Sequence, residues 1–251
     1  MGWRKYPWLA GKLFALAFIF AGGGALAVVM RLLLPLMPGS QQERTQRIIR
    51  TIFRGYLWML QALGMLTFSV SGTEKLQACA GKIVIANHPS LLDVVALMAL
   101  IPRAQCIVKH QLWDHWFLGR LMRTAGYISN TLEPEALIEA CRQTLADGQT
   151  LIIFPEGTRT PAGSKPHFHR GVANIAILAE APIQTVIINC TPAILYKGEP
   201  WWQVPSQRPL LQLKVGECLD KNFYSQFGRR SIATRKLMDY LENYYHAHCE
   251  K

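Results

Sequence analysis

The sequence predicts an α/β protein with a mixed, largely parallel central sheet covered by helices on both faces, preceded by an apolar helical segment at the amino end. Three observations lead there. Short strands rich in β-branched residues recur after Gly72, as in Lys82–Ala86 (KIVIA) and Thr150–Phe154 (TLIIF). They lack polar alternation, which is the pattern of strands buried on both faces. Helical stretches separate them, as a layered α/β domain requires. Finally, 251 residues with 50% apolar and 17% charged side chains can bury one sizeable core. That composition excludes an intrinsically disordered chain and a polytopic membrane protein.

The amino end differs from the rest. Leu13–Met30 (LFALAFIFAGGGALAVVM) is uncharged and bracketed by Lys12 and Arg31. As a helix it would reach about 27 Å, close to the roughly 30 Å hydrocarbon core of a bilayer. It is longer than the apolar region of a secretory signal peptide. A single span and a shallow monotopic hairpin both stay open, since Gly22-Gly23-Gly24 and the pair Pro35 and Pro38 weaken a straight helix. Between Arg44 and Val70, Ile48, Ile49, Ile52, Phe53, Leu57, Leu60 and Leu63 recur at helical spacing, with Arg47, Arg50 and Arg54 on one polar stripe. With Tyr56 and Trp58 this suits a basic helix lying in the membrane interface; the plain alternative is a core-facing helix with solvated arginines. Residues 1–70 hold eight basic side chains and one acid, and so carry +7 of the net +11. That charge is interleaved with Leu, Ile, Phe and Trp, which favours an anionic membrane surface and argues against nucleic acid. The expected organisation is a membrane-anchoring helical segment over 1–70 and a globular unit over 71–251. Five arginines follow the apolar run and three basic residues precede it, so the globular unit is expected on the cytoplasmic face of the membrane.

Along the body, Leu91–Ile101 reads as a helix, Cys106–Lys109 as a strand, Trp116–Ala125 as a helix and Tyr127–Ser129 as a short strand. Pro134–Ala146 is an amphipathic helix ended by Gly148, a natural helix terminator. Val172–Glu180 is helical, Gln184–Asn189 and Leu210–Val215 are strands, and Ser231–His246 is a terminal helix. The six cysteines lie far apart without a C-x-x-C pair, so they read as reduced thiols and no metal site is expected.

Two clusters carry chemistry. Asn87-His88-Pro89-Ser90-Leu91-Leu92-Asp93 falls where a strand ends and a helix begins, the edge at which open α/β sheets bind ligands. Residues five apart in a continuous helix point too far apart to pair. If Pro89 is the first helical residue, His88 lies outside the helix and its ring can fold back to Asp93. A His–Asp dyad of that kind takes a proton from a hydroxyl. The plain alternative is a capping His and a helical Asp that never meet. Ser90 reads as a helix-start residue, and no G-x-S-x-G accompanies the dyad. The second cluster is Phe154-Pro155-Glu156-Gly157-Thr158-Arg159, again just past an apolar strand. Gly157 allows positive φ or a close approach, and the Arg159 fork suits phosphate.

The pair of motifs, His88-x-x-x-x-Asp93 and Phe154–Arg159, resembles the glycerolipid acyltransferase family, in particular 1-acylglycerol-3-phosphate acyltransferases. The resemblance runs from about Gly72 to Asn189 and includes Lys109, Gly126-Tyr127-Ile128, the basic stretch Lys165 through Gly171, and Ala181-Pro182-Ile183. It implies that 71–251 is the catalytic domain. The activity implied is O-acyl transfer from a thioester co-substrate, acyl-CoA or acyl carrier protein, to the free hydroxyl of a membrane lysolipid, giving phosphatidate from 1-acylglycerol-3-phosphate. His88 is then the base and Asp93 its orienter. Asn87, Lys109, Glu156, Gly157, Thr158 and Arg159 bind substrate; Arg159 and Lys109 hold phosphate, Glu156 the glycerol part, and the Gly157 amide the oxyanion. No bound cofactor and no metal are implied. Asn130 stands where the family usually carries an arginine, which keeps open an acceptor with another head group, such as a lyso-ornithine lipid. A lipid hydrolase using Ser90 or a cysteine, and a non-catalytic lipid-binding protein, are the competing readings. His167 and His169 read as solvated loop residues, and Trp201-Trp202 as a loop cluster or part of an acyl tunnel.

Overall fold

A computed structural model describes residues 38–115, 118–161, 167–200 and 203–249. The apolar run Leu13–Met30, Lys165 and the pair Trp201-Trp202 lie outside them. The chain forms α1 (Gln41–Ala62), β1 (Thr67–Ser71), α2 (Thr73–Gln77), β2 (Ile83–Ala86), α3 (Leu92–Leu100) and β3 (Ala104–Val108). Then come α4 (His110–Trp113), α5 (Leu118–Thr124), β4 (Ile128–Ser129), α6 (Pro134–Ala146), β5 (Thr150–Ile153) and α7 (Gly171–Leu178). The last elements are β6 (Ile183–Thr191), β7 (Leu210–Leu219), α8 (Lys221–Ser225) and α9 (Arg230–His248).

The strands make one seven-stranded sheet in the order β1-β7-β6-β2-β5-β3-β4. β6, β2, β5, β3 and β4 are parallel; β7 is antiparallel to β6, and β1 is parallel to β7. The central strands β2 and β5 are buried at every residue, which is why they read as unbroken apolar runs. Alternate residues feed two cores. Val84, Ala86 and Ile152 join the α1 and α3 side; Ile83, Ile85, Leu151 and Ile153 join the side covered by α6, α7 and α9.

The amino-terminal helix is shorter than the stretch Arg44–Val70. The helix expected to run to Val70 ends at Ala62, and Thr67–Ser71 forms an edge strand paired with β7. Residues 41–71 are therefore built into the same fold as the body. Ser40 caps α1 with a reciprocal capping box: its hydroxyl accepts from the Glu43 N–H and Glu43 accepts from the Ser40 N–H. Ile48, Ile49, Tyr56, Leu57 and Leu60 are buried and the helix packs against α3, so this apolar face belongs to the core. The arginine stripe is not simply solvated. Arg50 donates from Nε to Ala99 O at 3.3 Å and from a terminal nitrogen to Leu100 O at 3.1 Å, closing the carboxyl end of α3, where cations are favourable. Arg50→Ala is expected to cost about 1–2 kcal/mol, read as a lower denaturation midpoint at unchanged slope. Trp58 (69% exposed) and Leu63 (55%) are the apolar residues of this region that stay on the surface. Among the described residues, no helix is long and apolar enough to cross a membrane.

Candidate active site

Topology puts the two motifs together. β2, β5, β3 and β4 are consecutive neighbours and run the same way. The residues that follow them, Asn87–Ser90, Phe154–Arg159, Lys109 and Asn130, therefore emerge along one edge of the sheet. Strands lie about 4.8 Å apart, so the ends of β2 and β5 are adjacent and that of β3 is roughly 10 Å from β2.

His88 leaves β2 and is followed by a turn, and α3 begins at Leu92, one residue after the expected start at Leu91; Pro89 is not helical, yet His88 still lies outside the helix. Ser90 builds this helix start. Its hydroxyl accepts from the Leu92 N–H at 3.2 Å, and Asp93 Oδ2 accepts from the Ser90 N–H at 2.7 Å. The two contacts are reciprocal in the manner of a capping box, but they sit one residue before the Leu91 cap, and the hydroxyl takes the Leu92 N–H. The same oxygen lies 2.9 Å from His88 Nδ1, so the expected dyad forms. An ionised Asp93 accepts the Nδ1–H and leaves Nε2 as the basic nitrogen. Asp93 is 0% exposed, and its Oδ1 has no hydrogen-bond partner among the described residues. Burial pushes its carboxyl up to about 6, opposed by its hydrogen bond with His88, the His88 charge, the Ser90 N–H and Arg159. The imidazole is 13% exposed and stacks on Phe154, with ring centroids 4.2 Å apart and planes 25° apart.

Glu156 sits directly behind the base. Its Oε1 accepts from the His88 N–H at 2.9 Å and its Oε2 from the Thr160 hydroxyl, while the Thr160 N–H donates to His88 O at 2.9 Å. Burial raises the Glu156 carboxyl to about 7; the His88 N–H opposes that and the charge of Asp93 adds to it.

The remaining expected substrate ligands divide. Asn87 is buried, and both ends of its amide are used: Nδ2 donates to Ile188 O and Oδ1 accepts from the Ile188 N–H, each at 2.7 Å. It ties the β2 end to β6. Gly157 needs its freedom, with φ +64° and His169 Cδ2 3.3 Å from where a Cβ would stand. Its N–H closes a turn on Phe154 O at 3.0 Å, so the expected oxyanion donor is already engaged. Thr158 and Arg159 follow it, half-buried. One Arg159 nitrogen donates to Leu195 O at 2.7 Å and Tyr196 O at 3.5 Å, which spends part of the guanidinium fork on the β6–β7 connection. Lys109 is exposed at the start of α4. Asn130 Oδ1 accepts from the His110 N–H at 3.0 Å, so this neutral residue supports α4.

A family model described as Acyltransferase matches residues 67–189. The chain is 30% identical over 189 residues to the 1-acyl-sn-glycerol-3-phosphate acyltransferase of Helicobacter pylori, covering 71% of this chain and 78% of that protein. The chain belongs to the glycerolipid acyltransferase family. It is also 26% identical over 170 residues to the human 1-acyl-sn-glycerol-3-phosphate acyltransferase beta, covering 65% of this chain and 60% of that protein. The crystal structure of the 1-acyl-sn-glycerophosphate acyltransferase PlsC from Thermotoga maritima superposes with a TM-score of 0.71 over 99% of this chain and 98% of that one. At 19% identity that likeness speaks to the fold.

In this 1-acylglycerol-3-phosphate O-acyltransferase-like enzyme, Ser90 is 0% exposed with its hydroxyl committed to the helix start. Burial also pushes the thiols of Cys79, Cys190 and Cys249 up to about 11, and those of Cys106 and Cys141 up to about 12. These are poor settings for the nucleophile of a hydrolase. Four contributors escaped the reading of the motifs: the Phe154 ring under the base, Thr160, His169 against Gly157, and the Leu195 carbonyl, which accepts from the Leu91 N–H as well as Arg159. Only the ring of Phe154 lay inside a motif; the others meet His88, Gly157 or Arg159 through the arrangement of the loops at the sheet edge.

Proposed function

We propose that the enzyme moves a fatty acyl group from acyl-CoA or acyl carrier protein to the free hydroxyl of 1-acylglycerol-3-phosphate, releasing phosphatidate and the carrier thiol. The observation that carries this reading is the His88–Asp93 contact of 2.9 Å at a strand end where the adjacent Ser90 hydroxyl is buried and committed to the helix start. His88 Nε2 takes the proton from the acceptor hydroxyl as its oxygen attacks the thioester carbonyl. The carbonyl π electrons move to oxygen, giving a tetrahedral oxyanion; the Thr158 and Arg159 amides, next in line after Gly157, are assigned to it. Collapse breaks the C–S bond, and the imidazolium returns its proton to the leaving thiolate. Asp93 stabilises the imidazolium while the proton is held. No bound cofactor or metal has a role in these steps.

The acceptor phosphate is assigned to Lys109 and to the Arg159 N–H groups that do not face Leu195 and Tyr196. The names of the relatives favour this head group. The neutral Asn130, held by His110, favours the second reading, in which the same chemistry serves a lysolipid with a different head. We also assign the enzyme to a membrane surface with the catalytic edge on the cytoplasmic side. The basic, apolar amino end supports this, as do Trp58 and Leu63 exposed at the end of α1.

The test uses the purified full chain in vesicles containing anionic lipid. Oleoyl-CoA and oleoyl-acyl carrier protein are each offered with 1-acylglycerol-3-phosphate, other lysophospholipids and a lyso-ornithine lipid. Phosphatidate is expected as the main product by mass spectrometry. Faster acylation of another lysolipid would overturn the acceptor assignment, and no acylated lipid from any of them would overturn the function.

A further inference from the structure

The His88 backbone is held as firmly as its ring, by residues of the other motif loop. Glu156 Oε1 accepts from the His88 N–H at 2.9 Å, Glu156 Oε2 accepts from the Thr160 hydroxyl, and the Thr160 N–H donates to His88 O at 2.9 Å. These three contacts close a ring around one peptide segment. Asp93 restrains only Nδ1, and Phe154 only the plane of the imidazole. Neither fixes the His88 Cα, and so neither alone sets where Nε2 stands relative to a substrate hydroxyl.

We propose that Thr160, acting with Glu156, is a positioning residue that clasps the backbone of His88, and that Glu156 serves this clasp and not the acceptor. Glu156 is 5% exposed and both of its oxygens already accept protein donors. The Thr160 hydroxyl suits the task because it can donate to a carboxylate or accept from a carboxylic acid. The ring therefore survives either protonation state of Glu156. The clasp also spans the ends of the neighbouring strands β2 and β5. It fixes the base relative to the loop that carries Thr158 and Arg159.

This inference rests on His88 being the base, and its test separates the two. Thr160→Val removes the hydroxyl but keeps the backbone N–H and the side-chain volume. It is expected to lower kcat roughly 10- to 100-fold, the cost of a misplaced catalytic group, with KM for donor and acceptor within about twofold. Thr160→Ser is expected to restore kcat to within about threefold of wild type. Glu156→Gln keeps the oxygen that accepts from His88 and offers an N–H to the Thr160 hydroxyl, so the ring persists and kcat and acceptor KM are both expected to stay within about threefold of wild type. If Thr160→Val does not fold, Thr160→Ala, which also lacks the hydroxyl and keeps the backbone N–H, carries the test through the same division between KM and kcat. Wild-type kcat in Thr160→Val, with His88→Ala inactive, would overturn the clasp alone. A Glu156→Gln enzyme with a large rise in acceptor KM and unchanged kcat would make Glu156 an acceptor ligand. Activity in His88→Ala would instead overturn the base.

Discussion

Replacing His88 by alanine is expected to lower kcat by roughly 10³-fold while the protein stays folded. The imidazole is the group placed to accept the proton of an attacking hydroxyl, with its other nitrogen 2.9 Å from a fully buried carboxylate. Its removal takes away the base together with the stack on Phe154. Asp93 is then left without its partner in a desolvated site, which favours its protonated form. Folding should survive, because the His88 backbone contacts to Glu156 and Thr160 do not need the ring. Steady-state kinetics alongside circular dichroism checks this: the expected result is a native spectrum with turnover lowered by roughly 10³-fold. Retention of near-wild-type turnover would remove His88 from the mechanism.

Asp93→Asn is expected to be nearly as damaging, by roughly 10²- to 10⁴-fold in kcat, because an amide neither fixes the productive tautomer nor stabilises the imidazolium. Its effect on stability should have the opposite sign. Burial raises the Asp93 carboxyl from its ordinary 3.8 to about 6, so the folded state binds this proton more tightly than the unfolded chain does. The stability linked to that proton is fully present below pH 3.8 and is lost as pH rises through about 6. At pH 8 the ionised side chain therefore weighs against folding, and the asparagine variant escapes that cost by about 1–2 kcal/mol. Thermal unfolding should show the variant melting above wild type at pH 8 and close to it at pH 4. Wild-type activity should fall as pH drops through about 6, as Asp93 ceases to be an acceptor for the Nδ1–H. A variant that melts below wild type at pH 8 would mean that Asp93 is held mainly for the fold.

How much of this was legible in the sequence depended on how local each feature is. α6 carries its own signals, proline at the start and Gly148 beyond the end, and it runs from Pro134 to Ala146 as expected. The buried strands β2 and β5 were equally plain, because an unbroken apolar run needs no partner to be recognised. β1 was not. Thr67–Ser71 (TFSVS) continues the apolar character of the preceding helix, and its role as an edge strand depends on β7, more than a hundred residues away. The face of α1 was ambiguous for a physical reason. An apolar stripe beside a basic stripe suits a membrane interface and a protein core alike, and Arg50 differs from a solvated arginine only through the α3 carbonyls above it. In the site, the His88–Asp93 spacing leaves both a dyad and a pair that never meets open, and the local turn through Pro89 and Ser90 decides for the dyad. Glu156, Gly157 and Arg159 were found as residues, but their partners were not. The clasp of Thr160 on His88, the turn that takes the Gly157 amide and the Leu195 carbonyl facing Arg159 all depend on where the sheet brings distant loops.

Under the proposed mechanism the acyl group passes straight from thioester to lipid hydroxyl with His88 as the base and no acyl-enzyme. This is tested most directly by intact-mass spectrometry of the full chain during turnover with oleoyl-CoA and 1-acylglycerol-3-phosphate in vesicles, with the lipids analysed from the same sample. Phosphatidate is expected to accumulate while the mass of the protein stays unchanged. A protein population heavier by one acyl group, formed and consumed at the rate of turnover, would contradict it.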